Sequence, residues 1–282
     1  MPEAKANPTH PTSRRRSGRL PGWTCLLLLA LLPLSAAAQS AEEAKGLEIS
    51  LEADRRDLGF GDSVAAIEMT LRNAGGQTST RLLNLKTLEV AEDGDGDKIL
   101  SVIESPRDVR GTALLTYTHI NEPDDQWLYL PALKRVKRIS SANKSGPFLG
   151  SEFAYEDLAS QEVAKYTHTY LRDEPCGDGL QCFVVERVPV YRNSGYVRQL
   201  TWIDQDEYRF MKVDFYDRKN DLLKTLTFSE YQQYLDQYWR ALILDMHNHQ
   251  TGKSTRLAYT DLRFRVGLKD SDFTRNALQR AR

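Results

Sequence analysis

Hydrophobic and polar side chains alternate along most of this chain, and residues that favour turns interrupt the alternation at short intervals. Between Ile67 and Arg72 every second residue is apolar, and Asn73–Gly76 then supply a turn. A period of two is typical of half-buried strands. The pattern predicts strands at Ile67–Arg72, Thr78–Val90, Ile99–Ile103, Thr112–Thr118, Gln126–Leu130, Arg135–Ile139, Val163–Leu171, Cys182–Val190, Tyr196–Ile203, Tyr208–Tyr216, Leu223–Tyr231, Tyr238–Asn248 and Ser254–Val266.

A series of strands joined mostly by short turns indicates a meander of antiparallel hairpins, folded either as a sandwich or as a strongly curled, partly open barrel. Helical periodicity is confined to Ala41–Arg56, a short segment around Glu156–Ala159, and Ser271–Arg280. Ser271 is the expected cap of the last of these helices. No change of composition and no Pro- or Ser-rich linker divides the chain, so we predict a mainly β protein with one domain.

The N-terminal segment, residues 1–38, has the three parts of a secretory signal in order. Basic residues from Arg14 to Arg19 precede an apolar run, Trp23–Leu34, and the small residues Ser35–Ala38 follow it. The apolar run is shorter than the ~20 residues that a membrane-spanning helix needs. We therefore expect cleavage after Ala38 and an exported protein whose single domain comprises residues 39–282.

Charge and cysteine content narrow the classes of function. Removing the signal segment takes five basic residues and one acidic residue from totals of 38 and 39, which leaves a net charge of −5. A mildly acidic protein lacks the basic surface that nucleic acids require, so we expect no nucleic-acid partner. Cys176 and Cys182 remain as an even, closely spaced pair. In an oxidising compartment such a pair favours a disulfide that staples a hairpin.

No group of residues has the spacing of a known catalytic site. A G-x-S-x-G nucleophile motif is absent from the sequence. Glu156 and Asp157 are adjacent carboxylates, but neighbours on a strand or helix point apart. Asp245, His247 and His249 alternate and would share one face of a strand, where they could ligate a metal, although surface histidines without a metal are commoner. We expect no enzyme activity, no cofactor and no metal.

Two aromatic segments carry more information about function. Trp127–Pro131 makes both faces of its strand apolar, whereas an ordinary antiparallel sheet exposes one polar face. Gly146–Tyr155 adds aromatic side chains to a loop that its Gly and Pro residues allow to bend. This loop is either a hydrophobic plug that closes a barrel or a mobile flap over an apolar cavity. The sequence leaves both interpretations open.

Several motifs in order resemble those of the outer-membrane lipoprotein-sorting family of LolA-like exported proteins. They are Ser105–Thr112, Asp125–Pro131, Lys137–Ile139, Phe148–Asp157 and Met246–Lys253. The resemblance extends from about Ala41 to Leu278 and so covers nearly the whole exported domain. It implies an open, strongly curved antiparallel sheet with a few short helices over its concave face, a periplasmic location, and a hydrophobic ligand held between sheet and helices.

The resemblance also suggests partners and a site. The expected ligand is a lipid or the acyl chains of a lipoprotein, and family members are similar to partners of inner-membrane RND/MMPL-type exporters; we expect a monomer. The alternative function is a sensor or adaptor that binds an envelope protein without carrying cargo. Candidate cavity or lid residues are Trp127, Tyr129, Phe148, Phe153, Tyr155, Trp202, Phe210 and Met246. Candidate rim charges, which could instead be solvated or paired in salt bridges, are Arg110, Lys137, Arg138 and Lys253.

Overall fold

The computed structural model describes residues 34–90, 95–177 and 179–280. These residues form thirteen strands, several short 3₁₀ turns, and two helices, α1 (Leu34–Asp57) and α2 (Arg275–Arg280). The strands are β1 (Asp62–Arg72), β2 (Thr78–Leu88), β3 (Asp95–Ser105), β4 (Ala113–His119), β5 (Asp125–Leu130), β6 (Arg135–Ile139), β7 (Tyr166–Pro175), β8 (Gln181–Pro189), β9 (Arg198–Asp204), β10 (Phe210–Tyr216), β11 (Leu222–Tyr234), β12 (Tyr238–Asn248) and β13 (Ser254–Phe264). Every strand predicted from the alternation is present, with ends that differ by a few residues.

All thirteen strands belong to one antiparallel sheet with the order β6-β5-β4-β3-β2-β1-β13-β12-β11-β10-β9-β8-β7. Strands that follow one another in sequence pair, with the exception of β6 and β7. At the centre of the sheet β1 pairs with β13, and Met69 lies opposite Leu257. The sheet is curved and is not closed into a barrel, and β6 and β7 are its two edges. Of the two expected architectures, the curled open sheet is therefore confirmed and the sandwich is not formed.

Alternate residues of the strands build one main core on the face that we call the inner face. On β1 these are Ala65, Ile67 and Met69, each at most 5% exposed. The same cluster includes residues from strands that are far apart in the strand order of the sheet, such as Leu128 on β5 and Val213 on β10. Only a strongly curved sheet can bring such distant strands into contact on one side.

The opposite, outer face carries a smaller core under α2. Phe273 and Leu278 are fully buried there against Leu100 and Leu115. Trp127 and Tyr129 of β5 pack on this cluster, while Leu128 between them belongs to the inner core. Both faces of β5 are covered, which explains why both are apolar.

The helices agree with the sequence prediction in part. Helix α1 contains the predicted Ala41–Arg56 and lies on the inner face, where Ile49 and Ala53 pack against Val185 and Ile203. The predicted segment around Glu156–Ala159 is a 3₁₀ turn at Tyr155–Leu158.

The prediction of one helix over Ser271–Arg280 is wrong in its start and its cap. A 3₁₀ turn at Asp270–Phe273 precedes α2, and the extended residue Thr274 separates the two. The Oγ1 atom of Thr274 accepts a hydrogen bond from the Ala277 nitrogen at 3.1 Å, so Thr274 caps the helix.

The predicted disulfide is confirmed. Cys176 and Cys182 are bonded, with their Cα atoms 5.7 Å apart. Cys182 is the second residue of β8 and lies opposite Glu174 of β7, so the bond closes the hairpin between these two strands.

The predicted signal segment lies largely outside the described residues. Its last five residues, Leu34–Ala38, form the start of α1, so the expected cleavage site after Ala38 is within that helix. Within the described ranges no helix is both long enough and apolar enough to cross a membrane.

Candidate ligand cavity

The segment between β6 and β7, residues 140–165, crosses the inner face from one edge of the sheet to the other. We call it the crossing segment. Its side chains Phe148 and Phe153 are 2% exposed and lie within the main core, and Phe148 makes an edge-to-face contact with Tyr155 at 5.8 Å. The aromatic loop Gly146–Tyr155 is part of the crossing segment. In this structure it fills the centre of the inner face as a plug does.

Backbone and side-chain hydrogen bonds join the crossing segment to strands on both sides of the sheet centre. The Leu149 carbonyl accepts from Arg81 of β2 at 2.6 Å. Glu152 accepts from Asn248 of β12 at 2.7 Å, and its backbone nitrogen donates to Thr255 of β13 at 2.9 Å. These contacts hold the segment against three strands.

A buried ion pair adds to this attachment. The Lys224 ammonium of β11 lies 2.6 Å from the Asp157 carboxylate, and both side chains are at most 5% exposed. Asp157 also accepts from the Tyr196 hydroxyl at 2.8 Å and from the Ala154 nitrogen at 2.7 Å. The buried charges are therefore paired and hydrogen-bonded, as burial requires.

The neighbouring carboxylate, Glu156, points the other way, as expected for adjacent residues. It accepts hydrogen bonds from the Tyr191 hydroxyl at 3.0 Å, the Ser194 hydroxyl at 2.9 Å and the Gly195 nitrogen at 2.8 Å. Burial, with a smaller contribution from Asp157, raises the pKa of Glu156. The adjacency of the two carboxylates in the sequence does not reveal that they anchor the aromatic loop.

Beside the crossing segment the inner face is left unfilled. A cavity of about 920 Å³ lies between α1 and the sheet. Its apolar wall comes from β2 and from β10 to β13, through Leu85, Phe210, Phe228, Leu244, Tyr259 and Leu262. The volume is within the range of pockets that bind small molecules.

Helix α1 forms the opposite wall, through Ser50, Ala53 and Asp54. Gly46 allows the helix to approach the sheet edge, because a Cβ there would come within 2.6 Å of the Tyr170 backbone nitrogen of β7. The Ser50 hydroxyl then bonds to His168 Nδ1 at 2.7 Å. The helix is thus attached at β7 and covers the cavity.

One end of the cavity is acidic. Burial raises the pKa of Asp97 to about 7, with smaller contributions from Glu162 and other nearby carboxylates, and Ser160 donates a hydrogen bond to Asp97 at 2.9 Å. Burial also raises the pKa values of Asp54 and Glu162, which line the same region. These carboxyl groups hold their protons to higher pH than exposed ones do.

The predicted cavity or lid residues fall into two groups. Phe148, Phe153 and Met246 are buried in the inner core, and Tyr155 and Phe210 pack against it. Trp127 and Tyr129 lie on the outer face under α2. Trp202 also lies on that face, beside the disulfide. Of the eight, Phe210 alone lines the large cavity.

The four predicted rim charges do not line the large cavity. Arg138 is paired with Asp125, and Arg110 lies 3.9 Å from Glu104. Lys137, on the edge strand β6, lines a smaller pocket of about 430 Å³ beside Gly146 and Tyr155. Lys253 is exposed in the turn between β12 and β13. Lys137 and Arg138 are neighbours on β6, whereas Arg110 and Lys253 lie in turns elsewhere in the chain.

Asp245, His247 and His249 project from the outer side of β12 and the turn after it, and the two imidazole rings are 4.9 Å apart. Asp245 pairs with Arg256 at 2.7 Å, and His249 Nε2 bonds to the Thr225 hydroxyl at 2.8 Å. In the described part of the chain, no three His, Cys, Asp or Glu residues are grouped so as to hold a metal ion.

Comparison with solved structures finds the same fold in bacterial relatives. An outer membrane lipoprotein-sorting protein domain from Vibrio parahaemolyticus is 59% identical, with a TM-score of 0.81 over 84% of this chain and 99% of that chain. A DUF1329 family protein from Desulfovibrio piger ATCC 29098 is 30% identical, with a TM-score of 0.79 over the same shares of the two chains.

A LolA superfamily protein from Nitrosomonas europaea is 23% identical, with a TM-score of 0.65 over 82% of this chain and 98% of that chain. At this level of identity the similarity shows that the two proteins share a fold and shows nothing about function. A family model described as "Uncharacterized protein" matches residues 95–280. The comparison with curated proteins finds no match.

Proposed function

The chain belongs to the family of outer membrane lipoprotein-sorting domains, and from this premise we propose that it is a periplasmic carrier for a lipid or for the acyl chains of a lipoprotein. In this proposal the protein binds its ligand without transforming it. It moves the ligand between the inner and the outer membrane, with an RND/MMPL-type transporter as the candidate partner at the inner membrane.

The observation that carries the proposal is the unfilled space between α1 and the inner face, which has an apolar wall on the side of the sheet. Protein interiors are close-packed, so a space of about 920 Å³ beside a well-packed core is unusual unless something occupies it. Its apolar wall offers a lipid chain an environment worth about 0.8 kcal/mol per buried methylene. A carrier needs such a surface, because acyl chains must be kept from water during transfer.

The position of α1 suits release of the ligand. The helix buries only Ile49 and Ala53 among the apolar side chains of the nearby core cluster, whereas Leu47 and Leu51 are more than 40% exposed. An element with few buried apolar contacts opens at lower free energy than the centre of the sheet does. We propose that α1 moves to admit the ligand.

The experiment starts from the full chain, expressed with its own N-terminal segment and purified under native conditions from a periplasmic extract. Organic extraction and mass spectrometry then identify what copurifies. We expect a stoichiometric lipid or acylated peptide. A protein free of lipid, in stable complex with an envelope protein, would favour the adaptor function over the carrier.

Two matched variants test whether the cavity holds the ligand. Leu244→Trp replaces an aliphatic side chain of the cavity wall with a larger indole ring and should abolish lipid copurification. Ile243→Trp makes a comparable change at the next residue of β12, which faces away from the cavity, and should leave the lipid in place. Equal lipid content in the two variants would contradict this location of the ligand.

A further inference from the structure

Arg187 is a buried cation in the wall of the cavity. It lies on β8, it is 5% exposed, and it lines the space beneath α1. Its Nη2 donates to Gln199 Oε1 at 2.6 Å. Its Nε is buried and has no hydrogen-bond acceptor. A guanidinium group has five N–H donors, so most of its capacity is left unused by the protein.

The other arginines that line the cavity differ from Arg187 because each of them is paired with a carboxylate. Arg55 and Arg56 both pair with Glu52, Arg209 lies 2.7 Å from Asp204, and Arg240 pairs with Asp57. Among the described residues, no Asp or Glu lies within ion-pair distance of Arg187. Burial lowers the pKa of Arg187, which reflects the cost of keeping its charge away from water. A buried charge without a counterion is costly, and a counterion from outside the chain would remove this cost.

Aromatic rings place this cation at the boundary of the apolar wall. The guanidinium carbon lies 5.0 Å from the Tyr166 ring and 5.6 Å from the Phe210 ring. Phe210 in turn contacts Phe228, with their ring centres 6.4 Å apart, and both line the cavity. The wall is therefore cationic at Arg187 and apolar beyond Phe210.

The titratable groups Tyr166 and Tyr191 also lie beside Arg187 but are not carboxylates, and His168 adds no acceptor for it. Its Nδ1 bonds to Ser50 and its Nε2 lies 3.0 Å from the Val163 carbonyl. Burial, and more weakly the Arg187 charge, lower the pKa of His168.

We propose that Arg187 binds the anionic head group of an amphiphilic ligand, a carboxylate or a phosphate, while the acyl chain of that ligand lies against Phe210 and Phe228. The proposal rests on the carrier function and specifies the chemical class of the cargo. A guanidinium group presents two parallel N–H donors to two oxygens of a carboxylate or phosphate, a geometry that a neutral alcohol cannot use.

The test compares three probes with the same sixteen-carbon chain: palmitate, palmitoyl lysophosphatidic acid and hexadecanol. Binding to the full chain is measured after delipidation, by displacement of a fluorescent apolar dye. We expect at least one anionic probe to bind about tenfold or more tightly than hexadecanol, since hydrogen bonds to charged groups exceed those of neutral groups by about that factor. The better of the two identifies carboxylate or phosphate as the head group.

Arg187→Gln should remove this preference, so that the preferred anion binds about tenfold more weakly and hexadecanol binds as before. Arg256→Gln is the matched control, because Arg256 is exposed, is paired with Asp245 and lies outside the cavity, and it should change neither affinity. Arg187→Lys keeps the charge without the planar pair of donors and should give an intermediate affinity.

The outcomes separate the two proposals. Equal affinity of the wild-type protein for all three probes would overturn the role of Arg187 while leaving the carrier function intact, and this result does not depend on how any variant folds. Unchanged anion binding in a folded Arg187→Gln variant would overturn it as well. Failure of the wild-type protein to bind any probe, hexadecanol included, would instead contradict the proposed function.

Discussion

The inner face of the sheet contains two regions that differ in how they are filled. At its centre the crossing segment inserts Phe148 and Phe153 and is attached by the Asp157–Lys224 ion pair. Towards β7, a helix with little buried surface covers an open cavity that contains Arg187, a cation without a counterion. The same curved sheet thus builds a rigid core in one half and leaves a binding space in the other. Experiments that alter one region should leave the other largely intact.

The largest effect is expected from breaking the ion pair in the filled region. Lys224→Met leaves Asp157 as an uncompensated buried charge and should lower the free energy of unfolding by about 3–5 kcal/mol. Chemical denaturation measures this loss. The double variant Lys224→Met, Asp157→Asn removes both charges and should recover part of the stability. A loss below about 1 kcal/mol in the single variant would show that the crossing segment is not held by this pair.

Truncating one aromatic side chain in each region compares their packing directly. Phe153→Ala should cost about 3–4 kcal/mol, because a ring with 2% exposure leaves a void in the core. Phe228→Ala should cost less, about 1–2 kcal/mol, because its ring already borders the cavity. Both values come from urea denaturation. Equal losses would mean that the two regions are equally well packed.

Ligand binding should stabilise the protein through the unfilled region alone. At a concentration of palmitate about 100 times its Kd, the free energy of unfolding should rise by about 2.7 kcal/mol. Leu244→Trp, which projects an indole ring into the cavity, should show no such increase, and Ile243→Trp should respond as the wild type does. Stabilisation of Leu244→Trp by palmitate would place the ligand elsewhere on the molecule.

A smaller effect on the free energy of unfolding is expected from pH, through the carboxyl groups at the acidic end of the cavity. Because burial raises the pKa of Asp97 from 3.8 to about 7, the folded state binds more protons than the unfolded state within that interval. Stability therefore falls as the pH rises from about 4 to 7, by on the order of 1 kcal/mol once solvent screening is allowed for.

Asp97→Asn should flatten this dependence, measured as the difference in unfolding free energy between pH 5 and pH 8. Ser160→Ala removes a hydrogen bond that lowers the Asp97 pKa and should make the dependence steeper. An unchanged difference in both variants would assign the pH effect to other groups.

The strands were predictable from the sequence because alternation and turn residues are local signals. The same signal does not say which of two alternating sets faces inward, and this limited the site prediction. On β5 the aromatic residues Trp127 and Tyr129 face outward and Leu128 faces inward. On β9 it is likewise Ile203, and not Trp202, that faces α1. In this sheet, a large aromatic ring therefore does not indicate that a side chain faces inward.

The cavity itself was not predictable from local patterns. A space arises where side chains from β2, β10 and β13 fail to meet across the curved sheet, and no single segment encodes that. Arg187 looked like an ordinary polar position of a strand, and only its lack of a carboxylate partner in three dimensions distinguishes it. The anchoring role of Asp157 likewise depends on Lys224, which is 67 residues away in sequence.

The pairing of β1 with β13 at the centre of the sheet has a consequence for how the protein is made. A chain is synthesised from its N-terminus, so β1 arrives long before the strand that completes it. Until β13 follows, two incomplete half-sheets each expose an unpaired edge and an apolar face, and such species aggregate readily. Contacts this distant in sequence also form slowly. The newly made chain should therefore depend on chaperones until its last strand is available.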